Sequence, residues 1–93
     1  MKHIFWSETA VESYERIIDY LFEKWTEKEI SDFQIRVNAL LESLDSNFYL
    51  CKPSVFIPYR KCVVTKQTSL VYAVENKNIL LITFLSNYSA HSY

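Results

Sequence analysis

The hydrophobic period of this 93-residue chain changes once, from helical before about residue 48 to alternating after about residue 59. A single switch of this kind excludes an all-α bundle and an all-β barrel, and leaves helices and strands segregated along one chain. Ala10, Val11, Tyr14, Ile17, Ile18, Leu21, Phe22 and Trp25 recur at steps of three and four, with Glu12, Glu15, Arg16, Asp19 and Glu23 mostly on the other side. That spacing predicts an amphipathic helix of about five turns. Ile30, Phe33, Val37, Leu40, Leu41 and Leu44 predict a second. Ser7 or Thr9 can cap the first helix, Glu12 standing three after Thr9, and Thr26 with Glu29 forms a capping box for the second.

Residues 62–65, 69–74 and 79–84 are β-branched and aromatic, and residues 3–6 read as a short first strand. The predicted order is therefore β-α-α-β-β-β, an α+β domain over residues 1–93 with a helical hairpin packed on a small, mainly antiparallel sheet. The unbroken apolar run of the last strand predicts a central place with a neighbour on each side. Residues 45–53 read as a loop with Phe48 and Tyr49 exposed, whereas Trp6, Trp25 and Tyr72 are expected in the core.

Glycine is absent altogether. Without it no P-loop, dinucleotide fingerprint or nucleophile elbow can be written, and the hairpin at 75–78 must turn on Asn76 and Lys77. Cys51 and Cys62 have no CxxC or Cys/His company, so two reduced, partly buried thiols are expected, with no metal site and no cofactor. No apolar run approaches a membrane span, and the N-terminus passes at once into charged helical sequence, which implies a cytoplasmic protein.

Charge is divided along the same line as periodicity. Residues 1–48 carry five Lys or Arg against ten Asp or Glu, and residues 49–93 carry five against Glu75 alone. A basic strand layer under an acidic helical layer suits an anionic partner on the strand side.

Trp6-Ser7-x-x-Ala10 entering a helix, the Ile17/Tyr20 pair and Trp25 at its close resemble the opening of the RelE/ParE superfamily of bacterial toxin-antitoxin toxins. Residues 59–64, 69–74 and 78–82 resemble that family's Arg, Tyr and alternating-strand pattern, so the resemblance covers nearly the whole chain. It implies a compact toxin of a type II system that arrests growth and is neutralised by a small cognate antitoxin. RelE-like members cut mRNA on the ribosome, and ParE-like members poison DNA gyrase.

Cleavage of RNA through its 2′-hydroxyl requires a base, an acid and cations against the developing phosphate charge. Arg60 and Lys61, with Tyr88 and His91, are the candidate catalytic groups, and Lys52, Lys66 and Tyr93 the candidate nucleic-acid contacts. The family's last strand is commonly followed by an Asn/Asp-Arg-Gln-x-Pro-like segment, whereas this chain reads Asn87-Tyr88-Ser89-Ala90-His91. Tyr88 therefore stands where an Arg is expected, and a neutral phenol cannot stabilise charge as guanidinium does. The alternative is a non-catalytic binding module of the same fold. With a pI near 6.1, affinity for bare RNA is expected to be weak.

Overall fold

Ser7 ends the first strand, β1 (Ile4–Trp6), and caps the helix that follows, α1 (Glu8–Lys24), its hydroxyl accepting the Ala10 N–H at 3.0 Å. The computed structural model describes residues 2–86. After a two-residue corner at Trp25 and Thr26 comes α2 (Glu27–Ser46). The Glu29 carboxylate folds back to accept both the Thr26 backbone N–H, at 3.1 Å, and the Thr26 hydroxyl, which holds the carboxyl below its ordinary pKa. The capping box is thus used as its spacing predicts. α2 continues past the break expected at Asp45. The Asp45 carboxylate accepts the His3 N–H at 2.9 Å and ties the end of α2 to the root of β1.

Four more strands complete the sheet: β2 (Lys52–Pro53), β3 (Arg60–Val63), β4 (Thr68–Glu75) and β5 (Asn78–Ser86). Their order is β1-β5-β4-β3-β2, with β1 parallel to β5 and all other neighbours antiparallel. β5 has a strand on each side, as its apolar run predicts. β2 corrects the expectation of an unbroken loop over 45–53.

β1 is only three residues long, so the far half of β5 would have an unpaired edge next to α1. Two serines of the helical segment take over there. The Ser7 N–H donates to the Leu81 carbonyl at 3.1 Å and its hydroxyl to the Ile82 carbonyl at 3.0 Å. The buried Ser13 hydroxyl donates to the Ala10 carbonyl and accepts the Phe84 N–H at 2.9 Å. Polar side chains of a helix here do the work of a strand, which keeps buried backbone groups paired.

The core lies between the sheet and the two helices: Ala10, Phe33, Val37, Leu41 and Leu44 meet Leu70, Tyr72, Ile79, Leu81 and Phe84. Tyr72 is fully buried, as expected. The tryptophans are not. Trp6 lies 5.5 Å from the Tyr14 ring and 5.7 Å from Phe84 but remains 39% exposed, because an edge strand covers it on one side only. Trp25, at the inter-helix corner, is 46% exposed. Phe48 is half-buried against the core, with its ring 5.3 Å from His3, and corrects the expectation that it is exposed; Tyr49 is exposed. Among the described residues no helix is long and apolar enough to cross a membrane.

The β4–β5 hairpin turns on Asn76 (φ 49°) and Lys77 (φ 64°), both in the left-handed region. Asn tolerates it; lysine gains nothing there and strains at its Cβ. Lys77→Gly is expected to stabilise the protein by about 0.5 kcal/mol net of the added freedom of the unfolded chain. A rise of a few degrees in the thermal midpoint would report it.

Candidate functional site

Two neighbouring rows of cross-strand partners decide where the candidate cations go. One row is Lys52–Lys61–Val71; the next is Pro53–Arg60–Tyr72. Directly opposed residues share a face of the sheet, and successive residues of a strand take opposite faces. Tyr72 and Leu81 belong to the core under the helices, so Arg60 is on the helix side and Lys61 on the other. Arg60 and Lys61, both candidate catalytic groups, are therefore split between the two faces of the sheet.

Arg60 is engaged on its own side. Its Nη1 donates to the Cys51 carbonyl at 2.6 Å, and its guanidinium carbon stands 4.8 Å from the centre of the Tyr49 ring. The Tyr72 hydroxyl donates to the Phe48 carbonyl at 2.8 Å and accepts the Cys51 N–H at 3.4 Å. Arg60 and Tyr72 thus hold the 48–51 segment to the sheet.

Lys52 and Lys61 are brought together. They are Cα partners in the β2–β3 ladder, on the sheet face away from the helices. A phosphate is the anion that two ammonium groups on a strand pair suit. Lys66 is elsewhere: it lines a groove of about 720 Å³ between the helices and the β3–β4 turn, with Arg16, Arg36, Tyr20 and Trp25 along its walls and Glu29 and Asp32 among its lining. Two of the groove's cations come from the acidic half of the chain, and sequence reasoning missed them. Their signal was Arg16 and Arg36 on helices that otherwise read as acidic. Tyr88, His91 and Tyr93 lie outside the described residues.

Cys51 and Cys62 form a disulfide with a Cα–Cα distance of 5.4 Å, which corrects the expectation of two thiols. The ladder explains the pairing. Lys52 opposes Lys61 and Pro53 opposes Arg60, so the next position places Cys51 opposite Cys62. Among the described residues no group of three or more His, Cys, Asp or Glu could hold a metal ion.

Burial raises the pKa of Tyr72, against the opposing pull of the Cys51 N–H and the Arg60 charge. Burial also raises Tyr14, opposed by a hydrogen bond with Gln34. In both cases the folded state favours the neutral phenol. The contribution is complete below the ordinary value of 10.0 and is lost as pH rises through the higher folded value, since the unfolded chain releases its protons first. Denaturant melts across the alkaline range should show stability falling above pH 10, less steeply in Tyr72→Phe than in the parent.

No family model and no curated protein matches this chain. Solved structures do match. A copper-bound mutant toxin from Helicobacter pylori is 15% identical over 91% of this chain and 93% of that one, with a TM-score of 0.64. The YoeB dimer from Staphylococcus aureus is 22% identical over 92% and 97%, with a TM-score of 0.62. The heterotetrameric YoeB-YefM toxin-antitoxin complex from Staphylococcus aureus contains a chain 23% identical over 91% and 95%, also at 0.62. At such identities the likeness is one of fold: two helices on a five-stranded, mostly antiparallel sheet, the RelE/YoeB-like fold. The fold expected from the sequence resemblance is the fold found.

Proposed function

We propose that this chain is the toxin of a bacterial type II toxin-antitoxin pair, acting in the cytoplasm and silenced by a small cognate antitoxin. The observation that carries this is the fold likeness over nine-tenths of the chain to toxins, one of them in complex with its antitoxin YefM. A fold hosts more than one activity, so the target is argued from the residues. The Lys52–Lys61 pair on the sheet face away from the helices supports mRNA on the ribosome. Two ammonium groups there would meet backbone phosphates, while the ribosome supplies most of the affinity that a chain of pI near 6.1 lacks.

A second reading has one observation in its favour. Arg60, the family-type cation, is committed to the Cys51 carbonyl and the Tyr49 ring, and Tyr88 replaces the expected Arg. A binding module without catalysis would tolerate both. Induced expression of the chain alone, with parallel labelling of protein, RNA and DNA synthesis, separates these outcomes. Early loss of protein synthesis with cuts in translated mRNA is expected. DNA-damage signalling with gyrase inhibition would move the target to gyrase, and unchanged growth at good soluble expression would leave the binding module.

A further inference from the structure

We propose that Cys51 and Cys62 are a reversible thiol-disulfide site, reduced by a small thiol of the glutathione class, that fastens residues 48–53 across the strand carrying Arg60. The bridge does not depend on the toxin reading, although Lys52 of the lysine pair lies within the fastened segment.

The bridge lies between directly opposed positions of two antiparallel strands, at the end of a ladder only two residues long. Cys51 is only partly buried and Cys62 is 2% exposed, so an outside thiolate approaches from the Cys51 side. It attacks the Cys51 sulfur and forms a mixed disulfide, and Cys62 leaves as a thiolate. A second thiolate attacks the outside sulfur of that mixed disulfide, releasing the oxidised small thiol and the Cys51 thiolate. Two electrons have then passed to the protein, and two protons complete the dithiol.

The reverse reaction is favoured by contacts that need no bridge. The Cys51 carbonyl is held by Arg60 at 2.6 Å and its N–H by the Tyr72 hydroxyl at 3.4 Å, while Lys52 and Pro53 pair with β3. These keep the two sulfurs opposed after reduction, so the dithiol remains folded and closes again. What reduction removes is the covalent limit on how far 48–53 can lift. Beyond it, that segment is held by a few hydrogen bonds, the Arg60–Tyr49 contact and the half-buried Phe48 ring, and presents exposed Tyr49 and Leu50 to solvent.

The test equilibrates the full chain, without denaturant, in mixtures of reduced and oxidised glutathione, approached from both ends. Rapid alkylation and mass measurement then count the thiols. Dithiol in excess reduced glutathione, bridge in excess oxidised glutathione and the same midpoint from either direction are expected. A bridge that survives excess reduced glutathione, a dithiol that fails to close, or global unfolding on reduction would each overturn the proposal. Hydrogen exchange supplies the second readout. The Cys51 and Lys52 amides should exchange at least tenfold faster in the dithiol, with those of Leu41 and Leu44 unchanged. Equal rates at Cys51 and Lys52 would overturn the fastening role. The double variant C51S/C62S should exchange like the dithiol at any glutathione ratio; if it fails to fold, the reduced parent chain answers the same question.

Discussion

Replacing Tyr72 by alanine is expected to lower stability by about 4 kcal/mol, and replacing it by phenylalanine by about 1.5 kcal/mol. The side chain has no exposed surface, and its ring fills the core between Leu70 and Val74 on the sheet and the apolar stripe of α2. Alanine leaves a cavity of most of a ring. Phenylalanine keeps the ring but leaves the Phe48 carbonyl and the Cys51 N–H without the hydroxyl that serves both. A domain of this length has a total stability of roughly 5–14 kcal/mol, so the alanine variant loses a large share of it. Thermal melts should show a fall of at least about 15 °C for Tyr72→Ala and about 6–12 °C for Tyr72→Phe. Equal falls in both would mean that the hydroxyl matters and the ring does not. A negligible fall in Tyr72→Phe would mean that water replaces the hydroxyl, and that the 48–51 segment is held by Arg60 and the bridge alone.

The helices were legible because their signals are local. Ser7, and Thr26 with Glu29, act within one turn of the residues they cap, and no distant contact overrides them. The apolar run of β5 was legible because the strand has a neighbour on each edge, β1 and β4. β2 was not. Lys52-Pro53 is two residues long, proline lacks the donor a ladder uses, and its neighbours carry turn chemistry. With β2 hidden, the Cys51–Cys62 bridge was hidden too, because only the β2–β3 register brings the two cysteines opposite each other. The split between Arg60 and Lys61 is a different case. Strict alternation along a strand already forbids neighbours from sharing a face, so the sequence contained this correction. The tryptophans mark the opposite limit: periodicity assigns Trp6 and Trp25 a face, and only the edge position of β1 and the corner after α1 determine how much of that face is covered.

The charge division likewise mapped less cleanly than its numbers imply. Arg16 and Arg36 come from the acidic half and meet Lys66 from the basic half around one groove. Lys52 and Lys61 remain on the other face. The molecule therefore presents cations on two surfaces, and the total charge of each half of the chain describes neither.

Reversing both lysines of the pair, in the double variant K52E/K61E, should reduce the growth arrest of the induced chain by at least about a hundredfold in surviving colonies, with the fold intact. Two cations against a developing phosphate charge act where charge appears in the transition state, and two carboxylates would repel the substrate as well. Thermal melts of the double variant beside the parent chain check that the loss of arrest is not a loss of fold. Arg60→Ala makes the contrasting case. It removes a charged donor 2.6 Å from a carbonyl and should cost about 1.5 kcal/mol, lowering the thermal midpoint while leaving arrest at low growth temperature largely in place. The pair of variants thus separates a working face from a structural one. If K52E/K61E still arrests growth while Arg60→Ala is harmless at an unchanged thermal midpoint, the face away from the helices is not the working face. The helix-side groove with Arg16, Arg36 and Lys66 would then be the next surface to reverse.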